Sequence, residues 1–174
     1  MKSPERCLTD DVNDAMAFYA TLGLDVRYFA ALWHTFNVGH ILTTDLDRIC
    51  RRHGPSIADF NLLGALRIDR PRRLRPTDLA ATLQVTQAAL SARISRLERE
   101  EILVRSAATD DRRASMLHLT SKGMRTVESI HLSIERDSQF VRQLYRLPEE
   151  DRAALARIMG ELHTELDREF ARSS

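Results

Sequence analysis

Between Thr86 and Arg99 the residue types suit recognition better than bond-making. Thr86 can cap a helix running from Gln87 to about Glu101. At ~100° per residue, Leu90, Ile94 and Leu97 share one side of that helix. Ala88, Ser91, Ala92, Ser95, Arg96 and Arg99 fall on the other. Small side chains let a helix lie deep in a DNA major groove, and Ser and Gln can bond base edges there. Arg96 and Arg99 lie further along, where phosphate contact is the expected role. The plain alternative is an ordinary solvated face. A second basic feature follows at Arg112 and Arg113, just after Asp110 and Asp111. A guanidinium at a loop tip can enter the negative potential of a minor groove, with a neighbouring carboxylate restraining it beforehand.

Other chemistries lack their residues. There is no GxSxG, GxxxxGK[ST] or GxGxxG, and the acidic pairs Asp10-Asp11, Asp110-Asp111 and Glu149-Glu150 are explained as caps and turns. His34 and His40 belong to no HxxxH, HExxH or Cys/His cluster, so neither a metal nor another cofactor is expected. Neither is enzymatic activity. Cys7 and Cys50 are too few for a disulfide framework. Cys7, beside Arg6 and ahead of a helix start, keeps open a reading as a cysteine-based redox sensor.

The elements that must position the Gln87 helix are legible from periodicity. Val12, Ala15, Met16, Tyr19 and Leu22 recur at helical spacing, and Gly23 can end that helix. A longer helix is expected from about Asp25 to Arg52, stopped by Gly54-Pro55. Ser56-Ile57-Ala58-Asp59 resembles a capping box opening a third helix with Phe60, Leu62, Leu63 and Leu66 on its apolar face. Pro76 starts a short helix, Gln84-Val85 makes a tight turn, and the Gln87 helix follows, which is the helix-turn-helix order. The period then changes: 102–106 and 116–119 read as two short strands around the charged loop, a β-wing. A helix over about 121–146 and a last one from Leu147-Pro148 complete the chain. The fold class is mainly α with a small β-wing.

The segments Asp78-Leu79-Ala80, Ser91 to Glu98, Asp111-Arg112-Arg113 and Leu117-His118-Leu119-Thr120-Ser121-Lys122-Gly123 resemble the winged-helix signature of the MarR family of bacterial regulators. The resemblance spans about residues 55–145. It implies a winged helix-turn-helix over 55–120 and a helical dimerisation region built from 1–54 and 121–174 together. It also implies a homodimer on a pseudo-palindromic operator in double-stranded DNA, with each recognition helix in a major groove and each wing in a minor groove. Many members are repressors released by small phenolic or anionic ligands. By resemblance, Trp33, Asn37 and Asn61 fall near the ligand pocket for an aromatic or anionic effector. The family usually has Gly just after the recognition helix, where this chain has Glu101, and Pro in the wing loop, where it has Ala107-Ala108-Thr109. The helix before Gly23 resembles the extension of the urate-responsive subgroup.

The chain of 174 residues is long enough for one substantial core. Its net charge of +1 conceals an asymmetry: residues 67–113 carry eleven Lys and Arg against seven Asp and Glu, while 1–66 and 143–174 are each −2. A local basic patch can serve a polyanion even when the whole is neutral. Against this stands the modest total, which favours a rival reading: a winged-helix protein that binds a protein partner and no longer DNA. The longest uncharged run, Tyr28 to Thr44, is short for a bilayer and holds Asn37 and two His, so no membrane span is expected. The N-terminus lacks a signal-peptide apolar core, and a cytoplasmic location is expected.

Overall fold

The computed structural model describes residues 8–68, 76–107 and 115–173. Among the described residues, eight helices and two strands run in the order α1 (Leu8–Thr21), α2 (Phe29–Arg51), α3 (Ile57–Ile68), α4 (Pro76–Thr82), α5 (Gln87–Arg99), β1 (Leu103–Ala107), β2 (Ser115–Leu119), α6 (Ser121–Asp137), α7 (Gln139–Leu144) and α8 (Glu149–Ser173). The described residues fall into two compact units divided between Thr44 and Asp45. In the first, α1 ends on Gly23 at φ +75°, and Phe29 and Trp33 stack along the start of α2 with ring centroids 6.1 Å apart.

The second unit holds the helix-turn-helix. One apolar cluster joins Leu62 and Leu63 of α3, Leu79 and Ala80 of α4, Leu90, Ile94 and Leu97 of α5, Ile102 and Leu103 at the start of β1, Leu117 of β2 and Val127 of α6. Each buried Leu or Ile removes enough apolar surface from water to contribute about 1.5–3 kcal/mol before chain entropy is charged against it. The strands pair antiparallel, with Leu103 opposite Leu119 and Arg105 opposite Leu117. The wing thereby turns Leu103 and Leu117 to the core and leaves Val104, Ser106 and His118 exposed.

Two expectations are corrected. The second helix starts at Phe29, four residues after Asp25. Asp25 instead accepts the Arg27 backbone N–H at 3.0 Å and pairs with its guanidinium, a local bond that competes with helix. The helix expected over 121–146 is broken at Ser138, which is extended (φ −68°, ψ 126°) and caps α7. The cause is buried Asp45 on α2: it accepts the Ser138 hydroxyl at 2.7 Å and the Phe140 N–H at 3.2 Å. Satisfying that carboxylate outweighs continuing one helix.

Candidate nucleic-acid interface

The capping box at α3 forms as the spacing implies. Asp59 accepts the Ser56 N–H at 2.7 Å while the Ser56 hydroxyl accepts the Asp59 N–H at 3.2 Å. Asp47 on α2 adds a further cap by accepting the Ile57 N–H at 2.9 Å. Packed above this helix start, α5 begins where Thr86 accepts the Ala89 N–H at 3.2 Å.

Leu90, Ile94 and Leu97 are buried to within 2% and fix the inner face of α5. Thr86, Gln87, Ala88, Ser91, Ala92, Ser95 and Arg99 are all exposed. Ala88, Ala92, Ser95 and Arg99 form the ridge opposite the core, so the outer face is small and polar with one guanidinium at its far end. The Arg99 Nε–H turns back to the Ser95 carbonyl at 3.3 Å. Arg112 and Arg113, and with them the wing tip, lie outside the described residues.

Arg96, expected at phosphate, is ion-paired within its own chain. At ~100° per residue it sits about 120° round the helix from Leu90, on the flank toward α3 rather than on the outer ridge. Its guanidinium is paired with Asp59, which is fully buried, and lies 3.9 Å from Glu100. Arg93 converges on the same carboxylate, its Nε 3.5 Å from Asp59, and donates to the Ala58 carbonyl at 3.1 Å. Burial alone would raise the Asp59 pKa. The Arg96 and Ser56 hydrogen bonds outweigh it and hold the group below the usual carboxylate range.

The far end of α5 is also held. Ile102 N–H reaches the Leu97 carbonyl at 2.9 Å and Glu101 N–H the Glu98 carbonyl at 3.0 Å, the paired bonds of a Schellman ending. Glu101 occupies the left-handed position at φ +59°. The glycine that the sequence resemblance leads one to expect is absent, yet the left-handed conformation is kept. The Thr120-Ser121-Lys122-Gly123 segment clamps it. Thr120 donates its hydroxyl to the Glu101 carbonyl at 2.6 Å, and Lys122 its ammonium to the Glu100 carbonyl at 2.7 Å. A Cβ on Gly123 would stand 2.2 Å from the Ile102 carbonyl oxygen, so only glycine permits α6 to approach this closely. Gln84, at φ +51°, ends α4 in the same manner, with Val85 N–H on the Ala80 carbonyl at 3.0 Å.

Charge on this surface is largely paired. Arg93 and Arg96 meet Asp59, and Arg105 of β1 sits 2.9 Å from Glu98. Arg99 is in no ion pair with the described residues.

A cavity of 960 Å³ opens beneath the helix-turn-helix, lined among others by Phe60, Asn61, Arg67, Gln84, His131 and His163. It lies at the upper end of the sizes usual for small-molecule sites. Asn61 faces it, whereas Trp33 and Asn37 are not among its lining residues. Both lie on α2 in the first unit, where the Asn37 amide donates to the Trp33 carbonyl at 2.9 Å. Cys50 is fully buried, and burial, with Asp47 second, pushes its thiol up to about 11. That disfavours the thiolate redox chemistry requires. Cys7 lies outside the described residues. Among them, no cluster of three His, Cys, Asp or Glu could hold a metal, and no helix is long and apolar enough to cross a membrane.

Residues 53–114 match the MarR family model. The transcriptional regulator PecS of Dickeya dadantii is 25% identical over 147 residues, covering 82% of this chain and 86% of that one. The fold is shared with Staphylococcus aureus MepR in a DNA complex, at a TM-score of 0.66 and 19% identity over 80% of this chain and 99% of that chain. It is shared as well with AbsC, a MarR family regulator of Streptomyces coelicolor, at a TM-score of 0.66 and 24% identity over 82% and 96%.

Proposed function

From the match of residues 53–114 to the MarR family model and the similarity to PecS, we infer that the chain is a DNA-binding transcriptional regulator of this family, reading its site with the outer face of α5. The observation that carries this is the contrast between the two faces of that helix. The inner face is sealed in the core, and the outer one is exposed and built of Ala88, Ser91, Ala92 and Ser95. Side chains that short let the backbone approach base edges closely, and the Gln87 and Ser91 side chains then supply hydrogen-bonding groups. The chain acts as a homodimer on a pseudo-palindromic operator. No described residue of α8 is buried, and Leu155, Ile158, Met159, Leu162 and Leu166 leave an apolar stripe that a second copy would cover. Arg112 and Arg113 enter the adjacent minor groove from the wing, and Arg99 meets phosphate.

The protein is a repressor released by a small aromatic or anionic effector. The cavity beside Asn61 supports that role, since α3 both lines it and packs on α5. An effector acts by favouring a dimer whose recognition helices are wrongly spaced for DNA. Pairing of Arg93, Arg96 and Arg105 to acids favours the rival, a partner-binding winged helix that has left DNA.

A gel shift on the DNA upstream of the protein's own gene separates the two. The DNA-binding reading expects a shift, and Ser91→Val should redistribute preference among sequences more than it weakens binding to unrelated duplex. Absence of any shift, or equal loss on all sequences, would contradict base reading by α5.

A further inference from the structure

The cationic flank of α5 faces its own chain. Arg93 and Arg96, one turn apart, both converge on Asp59, which has no exposed surface and is anchored through Ser56 to the first turn of α3. The Arg93 guanidinium also ties to the Ala58 carbonyl. A carboxylate so placed holds the rotation of α5 about its own axis, because turning the helix would separate both guanidiniums from one fixed point. Apolar packing by Leu90, Ile94 and Leu97 fixes which side of the helix is buried; the hydrogen-bonded Arg96–Asp59 pair is directional and adds a fixed point on the flank, with Arg93 an ion-pair partner 3.5 Å from the second carboxylate oxygen.

We propose that Asp59 is the positioning residue of DNA recognition: with Arg96 it fixes which side chains of α5 face the groove, and Arg96 therefore serves specificity through Asp59 and not through phosphate. The inference rests on the DNA-binding reading above. It assigns Arg96 a role opposite to that of Arg99 three residues later, which has no carboxylate partner among the described residues. The same helix places Phe60 and Asn61, directly after Asp59, on the cavity wall. A change in α3 there would reach α5 through this carboxylate.

The test uses full-length protein and two probes: a duplex that the wild-type protein selects from a random library, and a scrambled duplex of equal composition. Asp59→Asn, Arg96→Gln and the double variant are compared. Each single change should weaken binding to the selected duplex by about tenfold while leaving the scrambled duplex nearly unaffected. The double variant should lose little more than either single one, as expected of residues in one network. The slope of log affinity on log salt should stay unchanged, because no phosphate contact is removed. Where Asp59→Asn fails to fold, Arg96→Gln decides alone, since it leaves Asp59 with Ser56 and Arg93. Equal losses on both duplexes with a shallower salt slope would show Arg96 on phosphate and overturn the proposal. So would unchanged affinity and selectivity in folded variants. A wild-type protein that selects no duplex would instead sink the DNA-binding reading itself, and this inference with it.

Discussion

The helix-turn-helix and the long helices solve the burial problem in opposite ways. From α3 to β2 the chain closes its own core: Leu62, Leu63, Leu79, Leu90, Ile94 and Leu97 are sealed by one another within a single copy. Along α8 the apolar positions recur just as regularly, yet Leu162 keeps 52% of its surface, and on α2 Phe36 keeps 74%. The helix-turn-helix is thus packed by the chain alone, whereas the stripe of α8 is left exposed. Asp59, Glu101 and the Thr120-to-Gly123 clamp surround α5, while buried Asp45 fixes the break at Ser138.

The comparison breaks most visibly at Leu97 and Leu162. Leu97→Ala should cost about 2–5 kcal/mol of stability by creating a cavity within one copy. That loss should be independent of protein concentration in urea unfolding. Leu162→Ala should leave the unfolding of an isolated copy within about 0.5 kcal/mol, as for other exposed positions. Its cost should appear as a melting temperature that depends more steeply on concentration, because fewer copies are paired. If Leu162→Ala proved as damaging as Leu97→Ala at every concentration, α8 would be packed within its own chain and the division would fail.

Acid should find the reading head next. The Asp59 pKa is held below its unfolded value, so its pairing contributes in full above the ordinary carboxylate range and is lost as the pH falls through the folded value. Wild-type stability should therefore decline on acidification, and Asp59→Asn should flatten that decline. An identical acid limb in the variant would remove Asp59 from the account.

The smallest expected effect concerns Glu101, whose left-handed backbone costs a non-glycine residue about 1–2 kcal/mol. Glu101→Gly should raise stability by about 0.5–1 kcal/mol, part of the gain being offset by the freer unfolded chain. The urea midpoint reports it. A fall in stability would mean that the Glu101 side chain contributes more than its backbone strain, contrary to an ion pair with Lys122 at 4.0 Å on an exposed surface.

How much of this was legible beforehand follows from the range of the interactions. Local signals sufficed for the Ser56–Asp59 capping box, the Thr86 cap, the inward trio of α5 and the two wing strands, since each depends on residues a few positions apart. What stayed hidden depends on distant partners. Ser138 breaks a long helix because of Asp45, ninety-three positions away, and no periodicity within 121–146 carries that information. The pairing of Arg96 with Asp59 depends on a residue of another helix, which the periodicity of α5 does not carry. Glu101 is the instructive intermediate: the absence of glycine suggested a different helix ending, but the clamp from Thr120 and Lys122 enforces the same one. The basic surplus of 67–113 is legible as composition, yet Arg93 and Arg96 share the one carboxylate of Asp59 and Arg105 pairs with Glu98.

If two copies present the outer faces of α5 to one stretch of duplex, the sequence they read is repeated. Sequencing the DNA that the wild-type protein enriches from a random duplex library tests this most directly. Inverted half-sites with centres about 10–10.5 base pairs apart, one turn of DNA, are the predicted result. Enrichment of a single unrepeated site, or of no sequence at all, would contradict it.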